Sequence, residues 1–223
     1  YKALSFLENH PYRLNKVRMN LGTALRNDRQ FEASINEFEK LLSYYQKEND
    51  SVGISEVMGE IAANYNSTLQ HDKAVKCLTQ AIGIMERNGS GSKQNVGVMH
   101  QRLANTYFKQ SKFDFANELY VKALKEFKAS NQMQNYYLTL INLAESYNHQ
   151  KKHDTALVRI NESIKGLEQF KNKHLLAVSN GVKATILSDQ NKNKEAVIVF
   201  DTAYTCALDS NSDRFLQIAR DFI

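Results

Sequence analysis

Histidines and cysteines are the first residues to weigh for chemistry, and in this sequence their spacing argues against it. The six histidines are scattered. His149 and His153 are four residues apart, but the polar run "QKK" lies between them, so the pair spans a turn rather than one helical face. A solvated turn is the plainer reading. Cys77 and Cys206 form no CxxC pair and have no flanking histidines, so neither a disulfide framework nor a zinc site is suggested. They read as two thiols in helices, neither with an identifiable base partner. No HExxH, GxSxG, P-loop or GxGxxG string occurs. The run Gly89 to Ser92 ("GSGS") follows no strand and serves only to lengthen a loop. No catalytic residue, metal ligand or cofactor is expected, and the chain is not read as an enzyme.

Charge offers a second pattern. Polar turns carry Arg26 and Arg29, His71 and Lys73, Lys109 and Lys112, Lys151 and Lys152, and Lys192 and Lys194, a basic stripe on one edge. Such a stripe can steer an acidic partner; the blander account, that turns need solvated side chains, is the stronger reading of a charge run. Aromatic residues for base stacking are absent from those turns, so direct nucleic-acid binding by this segment is not expected.

The elements that position these residues follow from composition and phase. A chain of 223 residues, 42% hydrophobic and 24% charged, buries a core. One proline and nine glycines leave helix interiors unbroken and point to an all-α fold. Leu25, Tyr65, Tyr107, Tyr147 and Leu187 mark five phased segments at intervals of 40, 42, 40 and 40 residues. Three positions before each marker stand Gly22, Ala62, Ala104, Ala144 and Ala184; nine after stand Ser34, Ala74, Ala116, Ala156 and Ala196. All are small, as two closely crossing antiparallel helices require. Thirteen after come the large Phe38, Leu78, Tyr120, Ile160 and Phe200, which fill the space between hairpins. Each unit is helix, short polar turn, helix.

The segments Arg102 to Leu124 and Asn142 to Ile164 resemble the tetratricopeptide signature of L-G/A-x-x-Y, then A, then F/Y, then A. The likeness covers nearly the whole chain. Departures are a repeat of about 40 rather than 34 residues, the absent terminal proline, and Lys183 and Leu187 in the fifth copy. The resemblance implies a right-handed α-solenoid of antiparallel helix hairpins, one array over 1–223. Repeats are expected near 15–49, 55–90, 97–131, 137–171 and 177–210, with partial repeats at 1–9 and 212–223. Repeats this long resemble those of bacterial regulators and sensor proteins, including peptide-sensing quorum regulators.

Carried over by position, the family's concave face implies partner contacts at Arg26, Asn66, Gln101, Asn105, Phe108, Lys109, Glu145 and Asn148. The amides each offer a donor and an acceptor to a peptide backbone, while Phe108, Leu138 and Ile141 suit an apolar side chain. The alternative for each amide is a solvated surface. The family's clamp for acidic chaperone tails is not matched, since Met19 and Thr23 occupy its first positions.

The resulting expectation is a non-catalytic protein- or peptide-binding module, the sensory or regulatory part of a larger bacterial signalling or transcription-regulatory protein. The competing expectation is a static scaffold for complex assembly. A switching module changes its radius of gyration on binding and a scaffold does not. Self-association through an exposed end helix is compatible with both. The sequence has no apolar run long enough to cross a bilayer, so no membrane insertion by this segment is expected. A cytoplasmic location is favoured, with an extracytoplasmic one open if a signal segment has been removed.

Overall fold

A computed structural model describes residues 11–88 and 92–209. The partial repeats expected at 1–9 and 212–223 lie outside the described residues, as does Gly89–Gly91. The chain divides into two compact units, Tyr1–Gln110 and Ser111–Ile223.

The first unit contains α1 (Pro11–Asn27), α2 (Phe31–Lys47), α3 (Ser51–Ser67), α4 (His71–Asn88) and α5 (Lys93–Lys109). The second contains α6 (Phe113–Ala129), α7 (Met133–His149), α8 (His153–Gln169), α9 (Lys173–Asp189) and α10 (Asn193–Asp209). Apart from the 18-residue α4, every helix is 17 residues long. Two such helices with two three-residue turns give the 40-residue period. First helices open about four residues before the expected repeat starts. Apolar periodicity cannot register a polar first turn, but the caps do: Asp50 accepts from the Val52 and Gly53 amides, Ser92 from Asn95, and Asn172 from Leu175.

With so few glycines, the turns rely on other residues in the left-handed region. Arg29, Leu69, Ser111, Lys151 and Asn191 have φ of 58–62° in the turns that follow first helices. Asn49, Asn131 and Lys171 occupy the same region after second helices, with φ of 51–56°. The amide of the next residue returns to a carbonyl five positions back: Gln30 to Leu25 (2.8 Å), Gln70 to Tyr65 (2.8 Å), Lys152 to Tyr147 (2.9 Å) and Lys192 to Leu187 (2.9 Å). This six-to-one closure satisfies orphan carbonyls and reverses the chain in three residues. The marker residue is therefore the turn's carbonyl anchor as well as a packing position.

The small positions lie where the helices cross. In the α1/α2 hairpin the Ser34 hydroxyl donates to the Gly22 carbonyl at 2.6 Å, and a Cβ on Gly22 would stand 2.7 Å from the Phe38 ring. In α3/α4, Ser55 donates to the Ala81 carbonyl (3.2 Å); in α7/α8, Ser163 donates to that of Tyr137 (3.2 Å). Phe38, Leu78, Tyr120 and Ile160 are all fully buried, as their large size at the interhairpin position requires. Phe38, Leu41, Val57 and Ile61 centre the first unit's core, with Cys77 packed against them. Tyr137, Leu140, Ile141, Ile160, Leu167 and Ile186 centre the second, with Cys206 alongside.

Candidate functional site

Within the first unit the first helices α1, α3 and α5 lie side by side, and one carboxylate ties all three. Glu60 on α3 accepts from Arg26 Nη1 on α1 (2.5 Å) and from Arg102 Nη2 on α5 (2.6 Å). Its side chain is only 16% exposed. Burial alone would raise the Glu60 carboxyl, but Arg102 and Arg26 outweigh it and hold it below the ordinary carboxylate range. Arg26 is thus an interhairpin ion-pair donor, and it leaves the solvated basic stripe expected from its place beside a turn. His71 leaves it too: it is the first residue of α4, half-buried, with Nδ1 3.0 Å from Asn66 Oδ1. Lys73 sits over the Tyr65 ring at 5.4 Å. The remaining stripe positions, Arg29, Lys109, Lys112, Lys151, Lys152, Lys192 and Lys194, are exposed.

Asn66 donates its amide to Thr106 Oγ1 at 2.8 Å while accepting near His71, so both ends of its carboxamide are engaged. On α5, Gln101, Asn105 and Phe108 are half-buried at i, i+4 and i+7, which places them on one helical face; Lys109 beside them is exposed.

In the second unit the same arrangement recurs with different partners. Asn148 on α7 donates to Asp189 Oδ2 on α9 (2.6 Å), and its Oδ1 is 2.7 Å from His153 Nδ1. The His149 ring stacks on Phe113 with centroids 5.3 Å apart and planes 8° apart. The two histidines therefore face different partners. Glu145, one turn before Asn148, is half-buried, and no hydrogen bond or opposite charge among the described residues acts on its carboxyl. Burial pushes its carboxyl above the ordinary range. The Tyr120 phenol is pushed well up by its own burial and then by the Glu145 charge. Glu145, Asn148, His149, Val182 and Thr185 line a recess of ≈ 80 Å³. Ile141, expected on the binding face, is instead 2% exposed and belongs to the core, with Leu138 packed against the same cluster. The family's concave positions, carried over from the resemblance, implied a binding role for Ile141, but its packing in the second unit's core covers it.

Sequence reasoning missed a recurring side-chain ladder. Gln110 donates to Asp72 (3.5 Å) in the first unit; Gln150 donates to Asp114 (2.8 Å) and Gln190 to Asp154 (3.2 Å) in the second. Each rung joins the third residue after one marker to the seventh after the preceding marker. That periodicity was readable in the "QSKFD" and "QKKHD" runs. Glu60 and Arg102 carried no such signal, since their pairing spans 42 residues and occurs once.

Among the described residues, no helix is long and apolar enough to cross a membrane, and no three His, Cys, Asp or Glu side chains gather as a metal site.

No family profile and no curated protein matches the sequence. Solved structures do match. The kinesin-light-chain TPR-like repeats of Podosopora anserina superpose with a TM-score of 0.72 at 16% identity, over 92% of this chain and 99% of theirs. Aspartyl phosphate phosphatase F from Bacillus subtilis superposes at 0.82 with 16% identity, over 97% of this chain and 57% of its own. The Rap conjugation gene regulator of the plasmid pLS20, solved in complex with the Phr* peptide, superposes at 0.75 with 13% identity, over 96% and 59%. The chain thus spans somewhat over half the length of these two proteins. Its fold is the all-α helical-hairpin solenoid of tetratricopeptide-type repeat proteins.

Proposed function

We propose that the chain is a non-catalytic peptide-binding repeat module, the sensory or regulatory part of a larger bacterial signalling or transcription-regulatory protein. The observation that carries this reading is the likeness, over 96% of the chain, to a gene regulator solved with a peptide bound. The side chains support it. Gln101, Asn105, Phe108 and Lys109 on α5, and Glu145 and Asn148 on α7, mix amide, aromatic and charged groups on first-helix faces, as recognition of an extended peptide requires. A cytoplasmic location belongs to the same reading.

The static-scaffold reading has an observation of its own. Within each unit, Glu60, Asn66, Asn148 and the Gln–Asp rungs tie neighbouring hairpins together, and such ties resist a change of pitch.

The test pans the full chain against a displayed library of random linear heptapeptides. The expected result is an enriched consensus whose binding weakens on Asn105→Ala and on Lys109→Glu. Failure to enrich any consensus, or binders indifferent to both substitutions, would sink the peptide-binding reading. Small-angle scattering with an enriched peptide then separates a switching module from a scaffold.

A further inference from the structure

The α7–α9 recess of the second unit is built around a half-buried carboxylate, Glu145. Glu60, the nearest counterpart in the first unit, is neutralised by two arginines. No hydrogen bond or opposite charge among the described residues acts on the Glu145 carboxyl. Leaving such a charge unpaired costs folding free energy.

Part of the donor capacity around it is already committed. Asn148 donates one amide hydrogen to Asp189 Oδ2 at 2.6 Å, and its Oδ1 lies 2.7 Å from His153 Nδ1. Thr185 donates its hydroxyl hydrogen to the Gly181 carbonyl at 3.2 Å. These groups leave acceptor capacity open in the recess at the Glu145 oxygens and the Thr185 Oγ lone pairs. Val182 supplies an apolar wall against which a methylene stem can lie. A site with acceptors, one unneutralised negative charge and an apolar wall fits a group that only donates and carries positive charge on an aliphatic stem.

We infer that the recess lined by Glu145, Asn148, Val182 and Thr185 receives the guanidinium or ammonium of a basic side chain, and so selects a bound peptide for an arginine or lysine at one fixed position. This rests on the peptide-binding reading and specifies the chemistry of one of its pockets. A volume of ≈ 80 Å³ admits one side-chain head and is far below what a cofactor occupies.

Two arms test it on the full chain. In the first, N-acetyl-L-argininamide is titrated and followed by backbone amide shifts, with the uncharged isostere N-acetyl-L-citrullinamide as control. The expected result is saturating shifts at Glu145, Asn148 and Thr185 with the cation alone. Glu145→Gln, which keeps shape and folding, should weaken it roughly ten- to hundred-fold, the worth of a charge-assisted hydrogen bond. Equal response to the citrulline compound, or argininamide binding indifferent to Glu145→Gln, overturns the inference. In the second arm the enriched heptapeptides are aligned. A basic residue at one position, lost when panning is repeated on Glu145→Gln, supports the assignment; a consensus without one refutes it and leaves the peptide-binding reading standing. If no peptide is enriched, that broader reading fails, and the argininamide titration still decides the recess.

Discussion

Replacing Glu60 with glutamine should unfasten the first unit at a single atom group. The substitution keeps size and one acceptor but removes the charge that pairs with Arg26 at 2.5 Å and Arg102 at 2.6 Å. A fully buried pair broken this way costs about 3–5 kcal/mol, and an exposed one about 0–1 kcal/mol. The side chains of Glu60, Arg26 and Arg102 are 16%, 19% and 34% exposed, which places this triad between those limits, at about 2 kcal/mol. The cost has a definite pH dependence. Because the folded Glu60 carboxyl lies below its unfolded value, its contribution is present above the unfolded pKa of about 4.3 and is lost as pH falls through the folded one. Urea denaturation of the full chain, followed by circular dichroism at neutral pH and again in acid, measures both. The difference between wild type and Glu60→Gln should be large at pH 7 and shrink steadily below about pH 4. A difference under about 0.5 kcal/mol at pH 7, the size of an ordinary surface change, would show that the triad is solvated and does not hold the first helices together.

Glu145→Gln should act in the opposite sense. A carboxyl raised by burial opposes folding once ionised, so this variant should be more stable than wild type at pH 7 and equal to it in acid, by the same denaturation series. Gly22→Ala drives a methyl to 2.7 Å from Phe38 and should cost about 1–3 kcal/mol; in a double-mutant cycle, Phe38→Leu should recover part of that loss. Leu69→Gly removes a bulky residue from φ 59° in an exposed turn and should raise the thermal midpoint, gaining about 1 kcal/mol. A cycle on Gln150 and Asp114 should give a coupling of about 0.5–1 kcal/mol if the rung is formed in solution.

The fold was legible because its determinants recur in phase. Gly22 or alanine three before each marker, and serine or alanine nine after, state the helix crossings outright, and the structure realises them through Ser34 bonding to Gly22. Lys183 and Leu187 interrupt the signature without interrupting the fold, because Ala184 and Ala196 still meet the spatial demand. Side-chain pairing was less legible. Arg26 reads as one more turn cation until Glu60, 34 residues away, is seen beside it. Asn66 and Asn148 read as free amides on an open face, yet each bridges to the next first helix. Sequence phase gives a residue's face on its helix, whereas the partner across the interface depends on the neighbouring hairpin. Ile141 shows the same gap from the other side: the family's concave positions implied that it faces a ligand, and packing covered it.

The Gln–Asp rungs set a rule for how a chain of this kind can change length. Each joins fixed offsets in successive units, Gln150 to Asp114 and Gln190 to Asp154. Adding or removing one residue inside α7 would move Gln150 out of reach of Asp114. Duplicating residues 133–172 as a block would instead present every glutamine with an aspartate at the proper offset, including one new rung between the copies. Single-residue drift is penalised while whole-block copying is not, so the ladder works as a reading frame written in side chains and favours growth in steps of 40 residues.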